Sequence, residues 1–159
     1  MVLLLKNLFF TFLVPGTVAV WVPWQIAAGA APPGDAARAV AGALFLAGAA
    51  IYAWCVWDFA TFGRGTPAPI DAPTRLVVRG LYRFTRNPMY VGVLTFIAGW
   101  VVLFQTGALL AYALAVGAAF HLFVLLYEEP HLERVFGASY ASYRGEVGRW
   151  LPGHRRRPD

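Results

Sequence analysis

Thirty-nine consecutive residues, from Met89 to Tyr127, contain no Asp, Glu, Lys or Arg. Nothing else in the chain restricts its fold so strongly. As a single α-helix the run would reach roughly 58 Å at about 1.5 Å per residue. The hydrocarbon core of a bilayer is only about 30 Å thick. The run therefore reads as two spans, 89–104 and 108–127, folded back on each other through a tight turn at Gln105-Thr106-Gly107. Composition agrees. Of the 159 residues, 59% are hydrophobic and 13% charged, whereas an ordinary soluble domain carries roughly 25% charged residues. So few charges cannot coat a soluble monomer of this length. The expected fold is a single domain, an all-α integral membrane protein with about four transmembrane helices.

The other two spans are read at 2–24 and 39–57. The first carries Lys6 near its start and Pro15-Gly16 in its middle, where the missing backbone donor invites a kink. The small residues Ala27 to Ala30 resemble a signal-peptide cleavage site. Yet the basic residue lies inside the apolar run, and tryptophans beside proline suit an interfacial anchor, so a retained span is the better reading. Between the spans, Gln25 to Arg38 reads as a short loop, 58–88 as an arginine-rich loop and 128–159 as a basic, amphipathic helical tail. Eleven of the thirteen Lys and Arg residues lie in that loop and tail. Basic residues favour the cytoplasmic side, so both termini, the loop and the tail are expected there. The net charge of +5 is then a topology signal rather than a sign of a nucleic-acid partner. Small residues at Ala39, Ala43 and Ala47, and at Ala113 and Gly117, predict close helix packing. Cys55 is the single cysteine, so no intrachain disulfide is possible, and no Cys/His cluster has metal-ligand spacing.

Two polar groups flank the uncharged hairpin, and its antiparallel course brings them together. One is the segment Arg79 to Tyr90, the other the pair Glu128-Glu129. Adjacent carboxylates at a helix C-terminus repel each other and oppose the helix dipole, so arginines or a ligand must compensate them. Arg79, Arg83 and Arg86 are spaced by four and three, which would place them on one face of a helix. Two readings stay open. The groups form a pocket for a zwitterionic ligand with carboxylate, ammonium and hydroxyls, or the acidic pair binds the loop arginines and pins the hairpin. His121, the one histidine in the uncharged run, lies seven residues before Glu128 and so on the same helix face. It is a catalytic candidate that could accept a proton, or a neutral imidazole hydrogen-bonded to a neighbour.

The order Val77-Val78-Arg79-Gly80-Leu81-Tyr82, then Arg86-Asn87-Pro88-Met89-Tyr90-Val91-Gly92, then Glu128-Glu129 resembles the isoprenylcysteine carboxyl methyltransferase and phospholipid methyltransferase superfamily. The tail continues the likeness through Leu132, Phe136-Gly137, Tyr140, Tyr143, Val147, Arg149 and Leu151-Pro152, so that residues 74–152 are covered. The resemblance implies S-adenosylmethionine as cofactor and a lipid or lipid-like methyl acceptor, with membrane lipids as partners at the cytoplasmic face of a bacterial inner membrane. It further implies a cofactor site made of Thr74, Arg75, Leu76, Val77, Gly80, Tyr82, Arg86, Asn87, Pro88, Met89, Tyr90, Glu128 and Glu129. No metal is implied, because methyl transfer from a sulfonium needs alignment more than activation. Asn87 stands where the family usually has His, and it cannot titrate. Val124 stands where prenylcysteine methyltransferases carry an arginine that reads the substrate carboxylate, which points away from that substrate. Two rivals remain at this level: an NADPH-dependent membrane reductase of the sterol-reductase type, and a non-enzymatic scaffold holding anionic lipids on its basic segments. Neither the acceptor atom nor the oligomeric state is legible in the sequence.

Overall fold

The computed structural model describes residues 14–31, 34–63 and 76–152. Most of the first expected span, with Lys6, lies outside the described residues, as do Thr74, Arg75 and the terminal arginines. Among the described residues every regular element is helical. The elements are α1 (Val22–Ala27), α2 (Asp35–Asp58), α3 (Pro88–Phe104), α4 (Gly107–Phe123), α5 (Glu129–Phe136) and α6 (Ala138–Glu146). Two continuous helices are long and apolar enough to cross a membrane: Asp35–Phe62, and Gly107–Phe136, which joins α4 to α5. Helix α3 is equally apolar but shorter.

The hairpin turn falls where the uncharged run predicts it. Gln105 takes a left-handed φ of 51° and ends α3. Thr106 then caps α4 by accepting a hydrogen bond from the Leu109 amide at 3.3 Å. Helix α2 starts four residues before the expected span. Asp35 sits in its first turn, where a carboxylate favours the helix dipole, and pairs with Arg38 at 2.9 Å.

Proline shapes the entry to the bundle. Pro23 has no amide to offer, and the backbone before it widens into a π-type turn over Thr17–Trp21, where the Val22 amide reaches back five residues to the Thr17 carbonyl. That geometry removes the ordinary helical donors for the Val18 and Ala19 carbonyls. Both are recovered from neighbouring helices: the Tyr112 hydroxyl donates to Val18 at 2.7 Å, and the Trp100 indole donates to Ala19 at 2.9 Å. In a bilayer this compensation is obligatory, because no water is present to satisfy a free carbonyl. It locks the first segment onto α3 and α4.

Helices α2 and α3 share the longest contact in the bundle, and they cross backbone against backbone. A Cβ added to Gly48 would sit 2.6 Å from the Gly92 carbonyl oxygen and 2.7 Å from the Phe96 amide nitrogen. The buried line on α2 is Ala41, Gly48 and Cys55, at intervals of seven. Ala39, Ala43 and Ala47, expected to pack, are instead exposed. A spacing of four selects the wrong face, since small residues occur all round this helix.

Gly48→Ala should destabilise the fold by about 1–3 kcal/mol, the usual cost of overpacking where backbone cannot move aside. Gly42→Ala, whose added methyl meets nothing within 4 Å, should be neutral or stabilising by up to about 1 kcal/mol. Thermal unfolding in detergent checks the pair. Equal melting temperatures for the two variants would contradict the backbone contact.

Candidate functional site

The segment leading into α3 is not an α-helix. Gly80 adopts a left-handed φ of 55°, and Gly80–Arg83 forms a single 3-10 turn. Asn87 stays out of the helix at φ −127°, as expected of a residue before proline, and Pro88 opens α3. The expected single face of three arginines therefore does not form. Arg79 turns to Asp58, Arg83 points outward and Arg86 turns inward to Glu129.

A second proline follows the two glutamates. Pro130 interrupts the hydrogen bonding of the fourth helix, and Val124–Glu128 widens into another π-type turn, with the Glu129 amide bonded to the Val124 carbonyl. The widening adds one residue to the helical repeat. Phe120, eight residues before Glu128, therefore shares its side of the helix and lines the same cavity. His121, seven residues before, does not. It lies on the exposed side, where its Nδ1 accepts a hydrogen bond from the Trp150 indole at 3.1 Å. The shared face expected from a spacing of seven is thus corrected by the π turn.

The glutamates have different surroundings. Glu129 is buried between two arginines. Arg149 grips it with both ends of its fork, Nε to Oε1 at 2.7 Å and Nη2 to Oε2 at 2.9 Å, and Arg86 Nη1 meets Oε1 at 2.8 Å. Arg86 also donates to the Tyr140 hydroxyl at 3.0 Å, while its Nε is buried with no hydrogen-bond partner. Burial alone would raise the Glu129 carboxyl. The Arg149 hydrogen bonds and the charges of Arg86, Arg149 and Arg144 outweigh it and hold the group below the ordinary carboxylate range. Hydrogen bonding to Glu129 likewise holds the Arg149 guanidinium more firmly protonated. Glu128 instead accepts a hydrogen bond from the Tyr90 hydroxyl at 2.9 Å.

The tail closes over this network. The Arg149 carbonyl accepts from the Thr85 hydroxyl at 2.9 Å and from the Asn87 side-chain amide at 3.0 Å. The Gly148 carbonyl accepts from the Arg86 backbone amide at 2.9 Å, and the Tyr143 hydroxyl donates to the Tyr82 carbonyl at 2.7 Å.

Beside this network lies a cavity of about 110 Å³. Of the residues singled out in the sequence, Tyr82, Arg86, Asn87, Met89, Tyr90 and Glu128 line it, beside Tyr52, Phe59, Val93 and Phe120. Val77 is packed with Cys55 and Tyr82 in the cluster behind. Leu76 is half-buried, and neither it nor Pro88 lines the cavity. Gly80 packs against Asp58 and Trp54 on another face, and Glu129 is committed to its arginines. An adjoining groove of about 560 Å³ shares Pro15, Tyr52 and Val93 with the cavity and runs along Gly48, Gly92 and Phe96. The cavity therefore joins a buried guanidinium, a carboxylate, a carboxamide and aromatic rings to an apolar channel. Among the described residues no cluster of potential metal ligands occurs.

Sequence reasoning did not single out Thr85, Tyr52, Phe120 or Trp150, nor the grip of Arg149 on Glu129. Arg149 had one available signal: an arginine in the tail beyond the aromatic pair Tyr140 and Tyr143, able to reach the acidic pair as the loop arginines do.

Residues 36–139 match the family model described as phospholipid methyltransferase. A methanethiol S-methyltransferase from Pseudomonas deceptionensis is 36% identical over 90 residues, covering 57% of this chain and 32% of that protein. A phosphatidylethanolamine N-methyltransferase from Talaromyces marneffei is 32% identical over 77 residues, covering 48% of this chain and 8% of that protein. The chain thus matches about a third of the first relative and less than a tenth of the second. No solved structure matches it.

Arg149→Ala should loosen the tail at a cost of about 1.5–3 kcal/mol, the range for hydrogen bonds to a charged partner. Arg149→Lys should restore little, because an ammonium cannot grip both carboxylate oxygens. Hydrogen exchange reads this directly. The Arg86 amide, bonded to Gly148 in the folded protein, should lose protection in both variants, and unchanged exchange would refute the clamp.

Proposed function

The chain belongs to the phospholipid methyltransferase family, and on that premise we propose that it transfers a methyl group from S-adenosylmethionine to a lipid or lipid-like acceptor at the cytoplasmic membrane face. In this arrangement the first segment, α2, α3 and α4 span the bilayer of a bacterial inner membrane. Both termini, the arginine loop, α5 and α6 lie on the cytoplasmic side, the side favoured by their basic residues.

The observation that carries the proposal is the cavity. S-adenosylmethionine bears a carboxylate, an ammonium, ribose hydroxyls, an adenine and a sulfonium, and supplies a methyl group that is already activated. The donor set fits. Arg86 keeps a buried, unbonded Nε at the cavity, suited to a carboxylate. Glu128 suits an ammonium or hydroxyls, and the rings of Tyr82 and Tyr90 offer faces to adenine or to positive sulfur. Tyr90 fixes Glu128 through its hydroxyl, and Glu129 fixes Arg86. Glu129 is therefore a positioning residue, while Val77 backs Tyr82 from the cluster behind the wall. The tail packs on the cavity residue Tyr90 through Trp150, which His121 holds by a hydrogen bond. The apolar groove beside the cavity supports an acceptor with a hydrocarbon chain, entering from the lipid side.

Titration calorimetry of the purified protein with S-adenosylhomocysteine tests the cofactor. Binding is expected, and Glu128→Gln and Arg86→Gln should each weaken it at least tenfold, or about 1.4 kcal/mol. Methyl transfer from radiolabelled S-adenosylmethionine into a total membrane lipid extract should follow the same order. NADPH binding in place of S-adenosylhomocysteine binding would favour a reductase and overturn the proposal.

A further inference from the structure

The loop side of α2 holds a feature that the reaction cavity does not use. Asp58 is 1% exposed, although it carries a carboxylate. Its Oδ2 is buried with no hydrogen-bond partner, and its Oδ1 lies 3.4 Å from Arg79 Nε, too long for a strong charge-assisted bond. A carboxylate so buried and so weakly paired is costly unless something else compensates it. Asp58 lines a pocket of about 450 Å³ with Ala50, Trp54, Trp57 and Arg79. Gly80 packs closely against two of these residues: any side chain there would run into the Asp58 carboxylate and the Trp54 indole. Arg79 is half exposed and held flat over Phe62, its guanidinium carbon 3.3 Å from the ring centroid. Both tryptophans are largely exposed, as interfacial aromatics of a membrane protein are.

We propose that this pocket is a second lipid site, distinct from the reaction cavity, for a phospholipid whose headgroup carries both a primary ammonium and a phosphate. The ammonium sits at the pocket wall formed by Asp58 and offsets its charge. The phosphate meets the guanidinium of Arg79, and the acyl chain lies along Ala50 and the two indoles. An anionic headgroup without an amine leaves Asp58 uncompensated, and a soluble anion makes no use of the tryptophans. The site rests on the chain's membrane setting and not on methyl transfer.

The test uses the full chain purified in mixed micelles and offered phosphatidylethanolamine or phosphatidylglycerol of identical acyl chains. Lipid retained after gel filtration is counted by mass spectrometry. Phosphatidylethanolamine should be retained at least fivefold over phosphatidylglycerol. Asp58→Asn should erase that preference, and Arg79→Gln, at a half-exposed position, should lower phosphatidylethanolamine retention at least threefold. S-adenosylhomocysteine binding should be unchanged in both, which separates this site from the cofactor site. Equal retention of the two lipids by the parent protein would overturn the proposal. So would a preference that survives Asp58→Asn and Arg79→Gln but disappears in Glu128→Gln, since that lipid would occupy the reaction cavity.

Discussion

The carboxylate of Glu129, held between Arg86 and Arg149, joins three parts of the chain: the segment entering α3, the end of the fourth helix and the tail. Its worth is geometric before it is energetic. Burying an ion pair costs desolvation that the mutual attraction only partly returns, so such a pair is a poor way to gain stability. It is an effective way to fix a register. Both oxygens of Glu129 are used, each arginine contributes donors in a plane, and Tyr140 supports Arg86 from the far side. With Glu129 so committed, Arg86 lies against the cavity wall and Glu128 is left to Tyr90. One carboxylate organises the site and its neighbour faces the cavity.

A proline sets how the helix carrying both carboxylates is turned. Side by side on a regular helix, the two carboxylates would repel each other at an end where the dipole already disfavours them. Pro130 forces the wider turn before it, and the extra residue rotates α5 relative to α4. Pro23 acts likewise at the other end of the molecule, where the carbonyls it strands are taken up by Tyr112 and Trp100. In water such defects would be patched by solvent. In a bilayer they must be patched by protein, so each proline both bends a helix and ties it to its neighbours.

The parts of the fold that were legible in sequence are those governed by solvent. A run without charges must be buried in lipid or protein, its length forces it to fold back into two helices, and Gln105-Thr106-Gly107 offers the only polar turn inside it. The juxtaposition of the Asn87 region with Glu128 follows from that hairpin alone. The illegible parts depend on local backbone geometry. The arginine face fails because Gly80 and the residue before Pro88 keep 79–87 out of an α-helix. The face of His121 is misassigned because a period of seven presumes an unbroken helix. The packing stripe is missed because alanine and glycine are so common on α2 that no one spacing stands out, and only the crossing at Gly48 and Gly92 selects a face. The grip of Arg149 cannot be ranked above that of the loop arginines without the course of the tail.

Scarcity of charge gives the remaining charges a diagnostic value that they lack on a soluble surface. There, an ion pair is usually worth little and signals little. Here the exposed pairs, Asp35 with Arg38 and Glu133 with Arg144, behave in that ordinary way at the bundle's rim. The buried carboxylates do not. Glu129 is fully bonded and makes a joint; Glu128 keeps one bond to Tyr90 and faces a cavity; Asp58 is nearly unpaired and faces a pocket between tryptophans. The degree of internal satisfaction falls along that series, and the need for an external partner rises with it. A buried acid that the protein leaves incompletely bonded marks where a cationic ligand group lowers the energy of the folded state. By that criterion the two ends of the series differ in kind, a structural clamp at Glu129 and an acid left short of a partner at Asp58, and the roles proposed for Glu128 and Asp58 rest on the same rule.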